Sequence, residues 1–300
     1  MNVFDRRLVR LHRDRAAPRL DRHDFLFREV AERLADRLDD VTRKFPMALD
    51  LGCHGGEVAA ALGRRGGVEW LVQADLSPAM ARRAAGGGPV VAADEECLPF
   101  AAQSFDLVIS NLSLHWVNDL PGTLLQIRQC LKPDGLFLAA MLGGETLAEL
   151  REVLLEAELA TTGGASPHVS PFADLRDAGS LLQRAGFALP VVDGDRLTVA
   201  YGDIIRLMHD LRGMGEANAA HSRGRRFARR ATIARAAEIY AERYADPDGR
   251  LRASFQIVYL TAWAPHGSQQ QALRPGSAKE RLAAALGTTE MPAGDKARPR

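Results

Sequence analysis

Met47-Ala48-Leu49-Asp50-Leu51-Gly52-Cys53-His54-Gly55-Gly56 is the stretch that decides the fold. A short, largely apolar run passes through glycines, and Val58–Leu62 then starts a helix. Glycines at a strand-to-helix turn let a ligand approach the backbone, and the helix N-terminus offers N–H groups to it. Asp75 ends the next apolar run, Trp70–Ala74, 19 residues after Gly56, where an acid can accept from a ribose diol. Asp94 follows Val90–Ala93, another 19 residues on, in position for an adenine edge. Any one of these acids reads equally well as a solvated loop carboxylate. Asp50, Asp75 and Asp94 together fall at the C-terminal ends of three successive strands, which is where ligands bind in open α/β sheets.

Working outward, strands and helices alternate. Pro78–Ala85 reads as a helix opened by Ser77, and Phe105–Leu112 as a strand covered on both faces. Leu120–Leu131 reads as a helix ended by the Pro133-Asp134-Gly135 turn, and Leu136–Leu142 as another strand. This alternation predicts right-handed βαβ units and a doubly wound, mostly parallel sheet. Upstream, Phe27, Val30, Leu34, Leu38 and Val41 form one apolar stripe, so residues 1–45 read as a helical lead-in. Downstream the pattern loosens: helices at Leu147–Ala157 and Leu175–Ala185, a strand at Leu189–Val199, and stripes at Ile204–Leu211 and Phe227–Tyr244. Phe255–Ala262 reads as the last strand. The expected domain is 46–265, with a helical lid over about 201–248 and a polar, mobile tail at 266–300.

A chain of 300 residues that is 46% hydrophobic can bury a substantial core. Its net charge of +1 gives no bulk preference for nucleic acid or an anionic membrane. Cys53, Cys97 and Cys130 show no paired spacing, which argues against a disulfide framework or a zinc site. Acids interleave with the seven Arg of Met1–Arg22, so this is no transit peptide, and no apolar run approaches membrane-span length. The expectation is a cytoplasmic protein with no metal, no nucleic-acid partner and no membrane span. The basic run Arg223–Arg230 reads as a solvated helix rather than a grip for RNA or an acidic partner.

The words Leu49–Cys53, Ala74–Met80, Asp94-Glu95 with Leu98-Pro99-Phe100, Ser104–Val108 and Leu131–Gly135 resemble class I S-adenosylmethionine-dependent methyltransferases across about residues 45–142. That resemblance implies a seven-stranded sheet of order 3-2-1-4-5-7-6, with the last strand antiparallel between its neighbours. It implies S-adenosylmethionine as cofactor, held by Asp50, Gly52, Cys53, His54, Gly56, Asp75, Leu76, Met80, Asp94, Glu95 and Asn111. Among these, Asp75 would meet the ribose, Leu76 the adenine face and Asp94 the adenine amino group. His54 stands where that superfamily has glycine. It either touches the cofactor carboxylate or points aside.

Leu112–Pro121, with His115 and Trp116, is similar to one family in particular: the mitochondrial complex I assembly factor (the fifth of its series) and its bacterial relatives. Phe4-Asp5-Arg6, Gly143–Arg151, Ser170-Pro171-Phe172, Arg184–Phe187, Gly213–Glu216, Gln256–Tyr259 and Gly276–Ala278 extend the likeness beyond the cofactor core. It implies hydroxylation of a protein arginine on the iron–sulfur subunit of respiratory complex I near its quinone site, with peripheral contact at the inner face of the membrane left open. His115 and Trp116 are the candidate catalytic residues, Trp116 as a face on which a guanidinium stacks. Both also read as packing residues. A non-heme iron site wants two His and a carboxylate; among the eight histidines only His12-Arg13-Asp14 has the His-x-Asp/Glu spacing, and no oxygen-activating site can be named from it. Two other readings stand beside the hydroxylase. One is a carboxyl O-methyltransferase of the biotin-synthesis type, the other a non-catalytic assembly chaperone.

Overall fold

The computed structural model describes residues 2–172, 175–224, 228–270 and 281–289. Residues 1–265 form one compact unit and 266–300 a second.

In the first unit a seven-stranded sheet runs β3-β2-β1-β4-β5-β7-β6. Its strands are β1 (Met47–Leu51), β2 (Trp70–Asp75), β3 (Val90–Ala92), β4 (Phe105–Asn111), β5 (Leu131–Leu142), β6 (Ala188–Tyr201) and β7 (Leu251–Trp263). β1 pairs in parallel with β2 and β4, and β4 with β5, while β7 is antiparallel to both β5 and β6. This is the order and the antiparallel insertion expected. β5 begins earlier than its sequence pattern suggested. Leu131 pairs with Phe105, the Pro133–Gly135 turn bulges out, and pairing resumes at Leu136 with Leu107.

Helices cover both faces: α1 (Arg6–Ala16), α2 (Phe25–Asp36), α3 (Glu57–Leu62), α4 (Pro78–Ala84), α5 (Leu120–Cys130), α6 (Ala148–Thr162), α7 (Leu175–Arg184), α8 (Ile204–Met214) and α9 (Arg230–Tyr244). Alternation along β4 divides the core. Leu107 and Ile109 pack with Phe27, Val30 and Leu34 of α2, whereas Val108 packs with Leu124 and Ile127 of α5. Fully burying one such aliphatic side chain is worth about 1.5–3 kcal/mol. A change such as Leu34→Asp would put an unpaired charge against this face and unseat α2.

α1 lies in the expected helical lead-in, ahead of the apolar stripe that marked it. Asp5 caps it, its side chain accepting from Leu8 N. Its buried positions are Val9, Arg13 and Ala16, one helical face with an arginine in the middle of it. Of the insertion expected as a lid, α8 and the chain after it reach the strand ends, where Asp5 N donates to Ala219 O and Phe4 bridges Ala220. α9 instead joins the core against the sheet, burying Ala236, Ile239 and Tyr240 in the cluster that holds Phe255 and Tyr259. Residues 225–227 of the basic run lie outside the described residues. The second unit carries a short helix, α10 (Leu282–Ala285), and most of the expected tail likewise lies outside the description. Among the described residues no helix is long and apolar enough to cross a membrane.

Candidate functional site

The turn after β1 is closed by its own hydrogen bonds. Gly52 N and Cys53 N donate to Ala74 O, His54 N to Asp75 Oδ2, Gly55 N to Glu57 Oε2 and Gly56 N to Cys53 O. Gly52 and Gly56 have φ of +78° and +95°, which β-carbon-bearing residues rarely adopt. A Cβ on Gly52 would fall 2.2 Å from the Ser113 side chain, so glycine is required there for space as well. His54 takes a left-handed φ of 46° and turns its ring out of the turn. The ring stacks on Phe27 at 4.2 Å, and its Nε2–H donates to the carbonyls of Asn111 and Leu112. Burial, with Arg13 nearby, pushes its pKa down and keeps it neutral. Of the two placements expected for His54, pointing aside is the one found.

The acids at the strand ends are where the sequence put them, and their charge is answered from within the chain. Asp75 is fully buried and accepts from Ser77 N and His54 N. Arg13 of α1, itself 0% exposed, lies 3.3 Å from Asp75 Oδ1 and 3.0 Å from Glu95 Oε1, and donates to Ser113 Oγ at 2.8 Å. Arg6, one end of the same helix, pairs with Asp94 and Glu95. Glu95 is buried too. Burial alone would raise its pKa, but Arg13 and Arg6 hold it well below the usual carboxylate range. Asp50 has no such help. Both of its oxygens are buried without a partner among the described residues, and burial, with Glu57 and Asp75 adding to it, pushes its pKa well up. Glu57 is pushed up to about 7, chiefly by burial.

Three of the expected cofactor-binding residues are engaged in packing or hydrogen bonds within the chain. Met80 lies fully in the core with α2 and β4 residues. Asn111 donates from Nδ2 to Phe27 O, tying α2 to the end of β4. Leu76 packs against the small cluster of Phe4, Val9, Trp116 and Ala219. Cys53 is buried beneath the turn, and its thiol is pushed well up by burial.

Beyond β4 a single helical turn, Leu114–Trp116, presents the two candidate catalytic residues. Trp116 is 1% exposed and meets Phe4 edge-on at 5.3 Å. Its face is therefore part of a core cluster, which corrects the expectation of an open surface for a guanidinium. The His115 side chain is fully buried, and its Nε2 lies 2.9 Å from Glu216 Oε2. Trp116 Nε1–H donates to the same oxygen at 2.9 Å. Glu216, from the segment after α8, has a side chain only 4% exposed. Burial works to raise its pKa, but His115, with Arg13 adding to it, outweighs that and brings it below the ordinary value, so it is a carboxylate. Its other oxygen, Oε1, has no partner among the described residues. The sequence pattern places Glu216 in a family word without giving it a role. Arg13 and Ser113 were missed altogether. The available signals were an arginine on the buried face of an amphipathic stripe and a serine directly before the His-Trp pair, one residue removed.

The residues fit S-adenosylmethionine in kind. Acids stand at the ends of β2 and β3, Asp50 is an orphaned buried carboxylate, and the Gly52 cradle is one that a Cβ would fill. Arg13 lies against both Asp75 oxygens, the ones that a ribose diol would need. Among the described residues no group of three or more His, Cys, Asp or Glu forms a candidate metal site.

Residues 49–139 match the family described as "Methyltransferase domain". Over 283 residues the chain is 48% identical to the mitochondrial arginine-hydroxylase NDUFAF5 of Danio rerio, covering 93% of this chain and 88% of that protein. It is 37% identical to the malonyl-[acyl-carrier protein] O-methyltransferase of Halorhodospira halophila, covering 90% of this chain and 91% of that one. A Haemonchus contortus phosphoethanolamine N-methyltransferase solved with S-adenosylhomocysteine shares the fold at TM-score 0.55 and 16% identity, covering 86% of this chain and 60% of that chain.

Proposed function

This chain belongs to the family of the NDUFAF5 arginine-hydroxylases, an enzyme family with the methyltransferase fold, and from that premise we propose that it binds S-adenosylmethionine and hydroxylates a protein arginine during assembly of respiratory complex I. One observation carries the reading. The likeness to the arginine-hydroxylases runs through 93% of the chain and so takes in the segments after β5 as well as the half that carries the glycine turn. The proposed substrate is the iron–sulfur subunit near the quinone site, met in the cytoplasm or at the inner face of the membrane.

Asp75, Asp94 and Glu95 would hold the ribose and adenine once α1 yields their oxygens, and Gly52 and Gly56 would let the cofactor lie against the turn. When bound, S-adenosylmethionine supplies an activated methyl sulfonium. Hydroxylation needs a separate oxidant. The chain's own residues have a plainer part. His115 and Trp116 fix one oxygen of Glu216, which lines a mostly apolar cavity.

The relationship to the malonyl-[acyl-carrier protein] O-methyltransferases supports a second reading, methylation of a carboxylate. Mass spectrometry of the iron–sulfur subunit from cells with and without this protein separates the two. Arginine hydroxylation adds 16 Da to one arginine peptide of the subunit, whereas an enzyme that methylates a carrier-bound carboxylate leaves the subunit unchanged and adds 14 Da to its own substrate. An unchanged subunit contradicts the proposal.

A further inference from the structure

A cavity of about 400 Å³ opens between α6, the 168–172 segment, α8 and α9. Its wall is mostly apolar: Leu150, Leu154, Phe172, Met208 and Ile233, with Glu216 the carboxylate among its lining residues. Two other ionisable residues line the wall. Arg212 is exposed, and His168 lies 3.2 Å from Glu158. We propose that this cavity is the subsite for the side chain of a substrate arginine, with Glu216 Oε1 accepting from its guanidinium. The subsite rests on the arginine reading above.

Three features point to a guanidinium rather than another group. Glu216 Oε2 is taken by His115 Nε2 and Trp116 Nε1, which fixes the plane of the carboxylate and leaves Oε1 alone for a ligand. An unpaired carboxylate oxygen beside apolar walls is costly, and a planar, weakly hydrated cation with several N–H donors relieves that cost. Leucine, methionine and isoleucine walls suit the methylene stem of an arginine, which buries its carbons while its head finds a charge. Glu216 also works against a carboxylate substrate. A malonyl group brought to the same cavity would meet a like charge.

Ligand-observed NMR on the full chain with saturating S-adenosylmethionine tests this, using Nα-acetyl-arginine methylamide and its citrulline counterpart as probes. Citrulline keeps the shape and loses the charge. Wild type is expected to prefer arginine at least tenfold, and Glu216→Gln, which keeps an oxygen for His115 and Trp116, is expected to abolish that preference by weakening arginine alone. An equal loss of both probes, or an arginine preference that survives in Glu216→Gln, overturns the subsite. The two proposals fail separately. A 16-Da shift that persists in cells carrying Glu216→Gln removes the subsite and leaves the hydroxylase reading. A Glu216-dependent arginine preference without any 16-Da shift does the reverse.

Discussion

At the ends of β2 and β3, Asp75 and Glu95 are buried and fully answered, by Arg13 and Arg6 of α1 and by backbone N–H groups. Beyond the end of β4, the Glu216 side chain is also largely buried, yet one of its oxygens is left without a partner among the described residues and it lines a mostly apolar cavity. The two regions belong to one surface, the C-terminal rim of the sheet, and differ in what they still lack. The first is electrostatically complete without a ligand, so a ligand must displace something there. The second is incomplete, so a ligand of the right charge adds something. In the first region affinity should depend on how readily α1 gives way, and in the second on charge complementarity alone.

Removing the first region's cation should have the largest effect. Arg13→Met strips a buried carboxylate pair of its central partner, and taking one member from a buried ion cluster costs about 3–5 kcal/mol. Thermal unfolding without cofactor should show a large fall in Tm. A Tm indistinguishable from wild type would mean that α1 does not hold this position in solution.

Glu57, next to the first region, predicts a pH dependence. Its pKa rises from 4.5 unfolded to about 7 folded, so the native state binds the extra proton. The stability this gives is fully present below about pH 4.5 and is lost as pH rises toward 7, by up to about 3 kcal/mol. Denaturant titrations across that window should give a steeper decline in wild type than in Glu57→Gln. Parallel curves would show that Glu57 is solvated. Glu95 acts with the opposite sign and at lower pH, since its depressed pKa adds stability that is lost only on acidification.

In the second region, His115→Ala removes a partner of Glu216 Oε2 and leaves the ion cluster untouched. A hydrogen bond to a charged group is worth about 1.5–3 kcal/mol, so stability should fall moderately. Cofactor affinity should stay within about threefold of wild type, while modification of the partner subunit stops. Cofactor titration and mass spectrometry on the same variant check this. Loss of cofactor binding in parallel with activity would merge the two regions into one.

How much of this the sequence carried follows the same division. Asp50, Gly52, Gly56, Asp75 and Asp94 were legible because each sits at a fixed step from its own strand, and the strands show by local periodicity. The order of the sheet followed from those strands and the family resemblance. Arg13 was not legible, because an arginine interrupts the apolar stripe that would have announced α1. Nor was the His115–Glu216 pair, whose members lie 101 residues apart and meet only through the packing of α8 over the sheet. Trp116 was visible, and of its two readings the packing one describes where it sits. Its burial comes from Phe4 and Ala219, which are distant from it in the chain on either side.

Calorimetric titration of S-adenosylmethionine into wild type and Asp75→Asn tests the central claim most directly. Asp75 is held by Arg13 of α1 and would be the acid that meets the ribose in the proposed complex, and a charge-assisted contact to a diol is worth about 1.5–3 kcal/mol. Saturable binding to wild type is expected, with at least tenfold weaker binding to Asp75→Asn and the variant still folded by circular dichroism. Equal affinity in the two proteins would contradict the contact between Asp75 and the ribose.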